Sequence, residues 1–327
     1  MKDKIRVIEL FAGIGAVRKA LMKGGYNFEI VDAIEIDPHP VASYNAIYNE
    51  NIIPQDITQY KPTRDSVGEI DLLWNSSPCQ DISLAGTNKG ADEGSGTRSS
   101  LVYEVIRIVN DIKPKYIIWE NVKGLLSSKH KHILDDYIKR LEDIGYTSYY
   151  QVLNASDYGL PQNRERVFTV SIRNDIDKEF TFPQKQELQL SFKDIVDNVV
   201  DEKYKLSNEK LNRIANWKCF EKPLTKIYGR NSISRTLTTH CGAESGGLAM
   251  YSDGLEDTTN LQNEYATQNY PNIQVRKITP REAWKLMGFD GEDCDRASQF
   301  NRDGALYKQA GNSVCVDVIL AILRQLF

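Results

Sequence analysis

The chain has 327 residues, of which 41% are hydrophobic and 26% charged, and its net charge is −4. This composition is typical of a globular protein with one or two domains, and no apolar run reaches the roughly 20 residues of a membrane span. The overall charge does not indicate nucleic acid binding. However, residues 203–235 carry a local net charge of +7, which suits either phosphate contacts or a solvated face.

The five cysteines are odd in number, scattered, and never arranged as a Cys-x-x-Cys pair. This spacing argues against a disulfide framework and against a zinc site, so we expect no metal. The first residues run directly into a strand pattern rather than a signal peptide. We therefore expect a protein of the reducing cytoplasm, with no membrane partner.

The first half of the chain alternates strand and helix patterns. The apolar strand patterns lie at residues 6–11, 28–34, 70–74 and 116–119. Such alternation predicts an α/β fold with a Rossmann-like, doubly wound, mostly parallel sheet. Residues 149–153 and 167–172 are expected to add an antiparallel pair at the edge of this sheet.

The pattern changes after about residue 174. Residues 175–275 are polar and rich in Gly, Ser, Thr and Asn, which predicts a smaller, irregular, β-rich domain. Residues 314–327 predict an apolar helix that packs back on the first domain. We expect residues 1–174 plus 305–327 to form a catalytic and cofactor-binding domain, and residues 175–304 a second domain and hinge.

A glycine-containing turn at residues 11–15 lies between the first strand and the first helix. Glu35, 20 residues after Gly15, ends the second strand, where a carboxylate can accept both hydroxyls of a ribose. Arg18 takes the third glycine position of the dinucleotide pattern, which favours a nucleoside cofactor without phosphates, such as S-adenosylmethionine. Asp56 is a weaker candidate, as an acceptor for an adenine amino group. An ordinary tight turn is the alternative interpretation.

Cys79 follows the third strand, and ligands of such sheets bind beyond the carboxyl ends of the strands. Most free cysteines are small buried hydrophobes. The neighbouring Pro78, the polar Gln80 and the long glycine-rich stretch that follows instead indicate a reactive thiol ahead of a lid-like loop.

Two further candidates follow the next strands. Glu120 ends the apolar fourth strand, where burial can raise a carboxyl pKa so that the group donates a proton to a ring nitrogen. A helix-capping or ion-paired glutamate is an equal alternative. Arg164 and Arg166 would share one face of the edge strand, where they could bind a base carbonyl or phosphate, or be ordinary surface arginines.

Taken together, the motifs match a family pattern. They are Phe-Ala-Gly-Ile-Gly at 11–15, Pro-Cys-Gln at 78–80, Glu-Asn-Val at 120–122, Gln-Asn-Arg-Glu-Arg at 162–166 and Ala-Gly-Asn-Ser-Val at 310–314. In kind and order they resemble the cytosine-5 DNA methyltransferase family, of the bacterial or phage restriction-modification type. The resemblance covers nearly the whole chain except residues 175–275, where that family places its variable target-recognition domain.

The resemblance implies a reaction and roles for the residues. A methyl group passes from S-adenosylmethionine to carbon 5 of a cytosine flipped out of DNA. Cys79 would add to carbon 6, Glu120 would protonate or hydrogen-bond ring nitrogen 3, and Arg166 would hold the carbonyl at position 2, with Arg164 supporting. The implied cofactor-binding residues are Phe11, Ala12, Gly13, Ile14, Gly15, Glu35, Ile36, Asp56, Ile57, Pro78, Asn312 and Ser313.

The resemblance also implies partners. Double-stranded DNA would be the substrate, a restriction endonuclease of the same system a partner, and the enzyme a monomer. Residues 235–239 resemble the Thr-Leu element of family recognition domains. The candidate DNA contacts are Gln80, Ser83, Arg230, Arg235, Thr236 and Thr238.

Two other functions stay open at this point. A transfer RNA cytosine-5 methyltransferase would share these motifs, although the roughly 100 residues between Arg173 and Arg276 favour DNA. A catalytically silent DNA-binding regulator should have lost Cys79 or Glu120.

Ile36 stands where the family often has an aromatic that stacks on adenine. This departure affects the packing of the cofactor rather than the reaction.

Overall fold

The architecture was analysed in a computed structural model, which describes residues 4–78, 98–215, 226–242, 248–260 and 273–327. The strands are β1 (Ile5–Leu10), β2 (Phe28–Ile34), β3 (Leu72–Asn75), β4 (Tyr116–Val122), β5 (Tyr146–Asn154), β6 (Gln162–Asn163), β7 (Glu165–Arg173), β8 (Lys226–Tyr228), β9 (Ser234–Arg235), β10 (Met250–Tyr251), β11 (Thr259–Asn260) and β12 (Arg276–Lys277). The helices are α1 (Ala16–Lys23), α2 (Pro38–Tyr48), α3 (Arg64–Val67), α4 (Val102–Ile112), α5 (Lys131–Asp143), α6 (Asn208–Ala215), α7 (Pro280–Lys285), α8 (Gly291–Ser298), α9 (Asp303–Asn312) and α10 (Val316–Leu326).

The central sheet has six strands in the order β2-β1-β3-β4-β7-β5. Strands β1 to β4 run parallel, and β7 runs antiparallel to both of its neighbours, β4 and β5. The predicted parallel sheet and its antiparallel pair are confirmed. The chain winds from β1 to β2 on one side and returns to β3 on the other side. In α/β sheets this switch point is where ligands bind, beyond the carboxyl ends of the strands.

Helices cover both faces of the sheet because successive strand residues point to opposite sides. Val7, Leu72 and Ile118 belong to a core that includes α1 and α10, whereas Ile8, Leu73 and Ile117 belong to a core that includes α4 and α5. The sheet is therefore doubly wound, and its two faces bury near-continuous apolar strands, as parallel sheets require.

The structure corrects two strand boundaries. Strand β4 runs on to Val122, which pairs with Arg166, so Glu120 lies inside the strand and not after it. The prediction that Arg164 and Arg166 lie in one strand is wrong, because β7 begins at Glu165. Arg164 stands between two strands, where its backbone N–H donates to Asn154 Oδ1 over 2.8 Å.

The described parts of residues 175–304 contain strands of two or three residues, among them the sheet β11-β8-β10-β12. This sheet and α6 share a small apolar cluster of their own. Helices α7 and α8 instead join the core that includes α1 and α10. The division at residues 174 and 305 stays a prediction.

The carboxyl-terminal segment forms α10, which packs against α1 as expected. Within the described part of the chain, one helical stretch, Asp303–Leu326, has the length and apolar composition of a membrane span. Its most apolar window is 83% buried inside the fold, which is also how the core helix of a globular protein behaves. The stretch is divided at residues 313–315 into α9 and α10.

Candidate functional site

A pocket of about 120 Å³ opens at the switch point between β1 and β3. Its wall includes seven of the residues predicted to bind a cofactor: Phe11, Ala12, Gly13, Ile14, Glu35, Asn312 and Ser313. The rest of the wall consists of Ala16, Asp37, His39, Pro40, Trp74, Ser76, Ala305, Lys308, Gln309 and Val314. The structure therefore brings the two ends of the chain together around one cavity.

Glu35 is held in place by three backbone donors. The N–H of Gly13 donates to Oε2 over 3.0 Å, and the N–H groups of Ile36 and Asp37 donate to Oε1 over 2.9 and 2.8 Å. Burial raises the pKa of the Glu35 carboxyl above its usual range, although these donors oppose the shift. The carboxyl group is thus oriented at the pocket wall and keeps lone pairs that can accept hydroxyl groups.

The first turn of α1 already holds a carboxyl group of the chain. The backbone N–H of Arg18 donates to Glu9 Oε1 over 3.1 Å, and the Tyr44 hydroxyl donates to Glu9 Oε2 over 2.6 Å. The Arg18 guanidinium lies over the Tyr48 ring, 4.6 Å from its centroid. A dinucleotide's pyrophosphate needs free donors at this helix end. The turn suits a ligand without phosphates.

The other residues predicted to bind a cofactor lie outside the wall of this pocket. Gly15 has a positive φ of 76°, and a Cβ there would lie 2.5 Å from the Tyr48 ring, so close packing accounts for this glycine. The Ile36 side chain is 61% exposed. Asp56 caps a short helical turn at buried Ile57, and the N–H of the preceding Gln55 donates to the Glu35 carbonyl over 2.7 Å.

The segment that leads to Cys79 is fixed from both sides. The Ser76 hydroxyl donates to the Phe11 carbonyl over 3.1 Å, and the Trp119 indole N–H donates to the Ser77 hydroxyl over 2.9 Å. Pro78, which follows, is half-buried. The predicted residues Cys79, Gln80 and Ser83 lie outside the described residues.

Glu120 and Arg166 form a buried ion pair on neighbouring strands. Arg166 Nε lies 3.1 Å from Glu120 Oε1, and only 8% of Glu120 is exposed. Burial raises the pKa of Glu120 above its usual range, while Arg166 and then Arg164 oppose the shift. The direction of this shift agrees with the expectation from the sequence that burial raises the pKa of the Glu120 carboxyl.

Arg164 joins three separate segments through its buried guanidinium. It donates to the carbonyls of Leu237, Gly311 and Ser313 over 2.9, 3.0 and 2.7 Å. Ser313 also lines the pocket. The arginine therefore stabilises the junction between the pocket, the Glu120–Arg166 pair and residues 235–239.

Three of the five cysteines are buried and free, namely Cys241, Cys294 and Cys315. Burial raises the pKa of Cys241 and of Cys315 to about 12, and it raises the pKa of Cys294 as well. A thiol with a raised pKa is a poor nucleophile, because the thiolate is the reactive form. Within the described part of the chain, no cluster of His, Cys, Asp and Glu is arranged to hold a metal ion.

Comparison with known proteins gives the family. A family profile described as C-5 cytosine-specific DNA methylase matches residues 5–327. The chain belongs to the C-5 cytosine-specific DNA methylase family. It is 33% identical to the type II methyltransferase M2.ScrFI of Lactococcus lactis subsp. cremoris over 99% of both proteins, and 33% identical to the type II methyltransferase M.NlaX of Neisseria lactamica over 98% of this chain and 96% of that protein.

A solved structure shares the fold. The Entamoeba histolytica methyltransferase EhMeth matches with a TM-score of 0.80 and 21% identity, over the whole of this chain and 98% of that one. The family confirms the resemblance drawn from the motifs, and the chain is accordingly an enzyme of the DNA (cytosine-5-)-methyltransferase class. The silent-regulator alternative is not supported.

The residues predicted to contact DNA in this methyltransferase fall into two groups. Arg230 is exposed and Arg235 is half-buried. The Thr236 hydroxyl donates to the Asn163 carbonyl over 2.8 Å, and Thr238 Oγ1 accepts the N–H of His240 over 3.3 Å. Thr236 therefore ties residues 235–239 to Asn163, the residue before Arg164, whereas the Thr238 contact is local.

Sequence reasoning missed one wall of the pocket. Ala305, Lys308 and Gln309 line it together with Asn312 on one face of α9. Helical spacing back from Asn312 by three, four and seven residues was a signal that could have found them. Trp74 and Ser76 lie near the end of the third strand, but no pattern in the sequence distinguished them from their neighbours.

Proposed function

We propose that this methyltransferase transfers a methyl group from S-adenosylmethionine to carbon 5 of a cytosine flipped out of double-stranded DNA. It would act in the cytoplasm as a monomer, beside a cognate restriction endonuclease. The observation that carries the proposal is the anchoring of Ser76 and Ser77. Ser76 is hydrogen-bonded to Phe11 in the pocket wall, and Ser77 is hydrogen-bonded to Trp119, the neighbour of Glu120. Cys79 follows two residues after Ser77 in the sequence.

The pocket residues suit the cofactor. Glu35 can accept ribose hydroxyls, since its carboxyl is fixed by three N–H groups and faces the cavity. A Cβ at Gly13 would meet no atom closer than the Phe11 carbonyl at 4.0 Å, so the backbone there is open to a ligand. When bound, the sulfonium cofactor supplies the methyl group. Asp56 and Ile57 are proposed to contact the adenine. They follow Gln55, whose N–H donates to the Glu35 carbonyl.

Cys79 is the proposed nucleophile. Cys241, Cys294 and Cys315 are buried and have raised pKa values. Of the two remaining cysteines, Cys79 and Cys219, only Cys79 directly follows the anchored residues Ser76 and Ser77 and Pro78 in the sequence. Its thiolate would form a bond to carbon 6 of the base, which shifts an electron pair toward carbon 5. Carbon 5 would then take up the methyl group, with S-adenosylhomocysteine as the leaving group. A base such as water would remove the proton from carbon 5, and the electron pair of that bond would restore the 5,6 double bond as the Cys79 thiolate is expelled.

Glu120 and Arg166 would polarise the base. A protonated Glu120 can donate to ring nitrogen 3, where negative charge develops as Cys79 adds. Arg166, paired with Glu120 over 3.1 Å, would bind the neighbouring carbonyl. Arg164, whose guanidinium donates to the carbonyls of Leu237, Gly311 and Ser313, would support the site by positioning these segments.

Target recognition is proposed for residues 175–304. Their basic part at 203–235, with exposed Arg230, suits phosphate contacts that position the protein on the duplex. Thr236 and Thr238 lie on a segment held by Arg164, so a base read there would be placed close to the Glu120 pair.

The test measures transfer of labelled methyl groups from S-adenosylmethionine to duplex DNA of mixed sequence and to transfer RNA. We expect incorporation into DNA with wild-type protein and none with Cys79→Ser, which should retain cofactor and DNA binding. Incorporation only into transfer RNA would overturn the DNA substrate. Turnover by Cys79→Ser would overturn the covalent route.

A further inference from the structure

One buried hydrogen bond joins the segment before the proposed nucleophile to the strand that carries Glu120. The indole N–H of Trp119, in β4, donates to Ser77 Oγ over 2.9 Å. Both residues are buried, with 2% of Trp119 and 4% of Ser77 exposed. Inside a protein such a bond is stronger than in water and depends on its geometry, so it can fix the two segments relative to each other.

Each partner of this bond is held by a second contact. The Ser77 N–H donates to Asn75 Oδ1 over 2.9 Å, which fixes the backbone of Ser77 just beyond the end of β3. The Trp119 ring packs against the Tyr137 ring of α5, with the two centroids 4.3 Å apart. A shift of either partner would therefore break a further buried contact.

Trp119 and Glu120 point to opposite faces of the sheet, because they are successive residues of one strand. Trp119 belongs to the core that includes α4 and α5, whereas Glu120 Oε1 lies 3.1 Å from Arg166 Nε. The backbone of β4 thus connects the Ser77 contact directly to the Glu120 carboxyl. A displacement of Ser77 relative to β4 would change the distance between Ser77 and Glu120.

The proposed reaction is sensitive to this distance. The thiol of Cys79 would add to carbon 6 while Glu120 donates to ring nitrogen 3, and these two atoms lie on opposite sides of one ring. Both groups must therefore meet the same base, and a misplacement of about 1 Å can slow such a reaction about a hundredfold. Ser77 lies two residues before Cys79 in the sequence, so the Trp119 contact acts on the chain just ahead of the nucleophile.

We propose that Trp119 is a positioning residue of the methyl transfer. Through Ser77 it holds the start of the segment that leads to Cys79 at a set distance from Glu120, so it acts on the chain rather than on the base. The inference rests on the proposed roles of Cys79 and Glu120. It concerns the rate of transfer and not the binding of cofactor or DNA.

Single-turnover transfer of labelled methyl groups to duplex DNA of mixed sequence tests the proposal. The assay separates the rate at saturating protein from the protein concentration that gives half of this rate, and calorimetry gives the affinity for S-adenosylhomocysteine. Trp119→Phe removes the donor, Ser77→Ala removes the acceptor, and the double variant removes both. Trp284→Phe is the matched control, since it removes another buried indole N–H, which donates to the Leu306 carbonyl over 3.0 Å. Urea unfolding reports the stability of each variant.

We expect Trp119→Phe and Ser77→Ala each to lower the saturating rate about tenfold or more, with the half-saturating concentration and the cofactor affinity within about twofold of wild type. The double variant should be no slower than the slower single variant, because both substitutions remove the same bond. Trp284→Phe should lose stability, since a buried carbonyl loses its donor, but should keep the rate within about twofold of wild type. If Trp119→Phe does not fold, Ser77→Ala decides by the same separation of rate from binding.

Two results would overturn the positioning role of Trp119. The first is a saturating rate of Trp119→Phe equal to that of Trp284→Phe. The second is a double variant in which the effects of the two single substitutions multiply, since the two residues would then act separately. A folded wild-type protein that transfers no methyl groups to DNA would instead overturn the proposed function, and the positioning role with it.

Discussion

The two ends of the site are built from different kinds of polar group. At the ends of β1 and β2, three backbone N–H donors surround the Glu35 carboxyl, and two of them belong to the next residues, Ile36 and Asp37. At the ends of β4 and β7, charged side chains from distant segments meet in a buried cluster of Glu120, Arg166 and Arg164. The first arrangement is suited to holding a ligand, and the second to moving charge on a base.

The largest effect is expected at the charged cluster. Glu120→Gln removes the proton that the carboxyl can give while keeping its shape, so we expect methyl transfer to slow roughly a hundredfold or more. Cofactor affinity should change little, because Glu120 lies outside the wall of the pocket. Single-turnover rates and calorimetry measure the two quantities.

Glu165→Gln is the matched control for this prediction. Glu165 is the exposed neighbour of Arg166 and pairs with Lys123 over 2.9 Å. Because burial raises the pKa of Glu120, the wild-type rate should fall as the pH rises through that raised pKa, as the protonated form is lost. The Gln variant should lack this limb. Equal rates for Glu120→Gln and Glu165→Gln would contradict the assignment.

The second effect concerns stability. Arg164→Met leaves three buried carbonyls without their donor, so the free energy of unfolding should fall by about 3 kcal/mol or more. Urea unfolding measures this change, with the exposed Arg302→Met as control. A loss below about 1 kcal/mol would show that the junction does not depend on this arginine.

The third effect concerns Glu9 in β1, at the pocket end of the site. Burial raises the pKa of Glu9 to about 7. A carboxyl with a raised pKa in the folded state holds its proton there more tightly than in the unfolded chain. Its contribution to stability is therefore complete at pH 4, below the unfolded pKa, and is lost as the pH rises through about 7.

Glu9→Gln should remove part of this pH dependence, which amounts to at most roughly 3 kcal/mol for such a shift. Urea unfolding of wild type and variant at pH 5 and pH 8 compares the slopes. If the free energy of unfolding of the wild type, relative to that of Glu9→Gln, rose from pH 5 to pH 8, the pH dependence would have the opposite sign. That result would contradict a buried, protonated Glu9.

The same contrast explains how much the sequence could predict. Glu35 and the turn before α1 depend on neighbouring residues, so a short motif was sufficient to find them. The alternation of strands and helices predicted the parallel sheet for a similar reason, since each element shows its own periodicity. Seven of the residues predicted to bind a cofactor accordingly line one pocket.

Other features depend on tertiary contacts that no local pattern contains. The role of Arg164 as a link between Leu237, Gly311 and Ser313 arises only when residues far apart in sequence meet. The hydrogen bond from Ser43 to Gln309 likewise joins two helices that are far apart in sequence. The extension of β4 past Glu120 follows from its pairing with β7, which sequence reasoning had placed only as an edge strand.

Bisulfite sequencing of DNA from a host that expresses the chain tests the central claim most directly, because 5-methylcytosine resists the deamination that converts cytosine. With wild-type protein, we predict protected cytosines at one recurring sequence across the genome, and with Cys79→Ser, none. Absence of protected cytosines in cells that contain folded wild-type protein would contradict the account. So would equal protection by the Cys79→Ser variant.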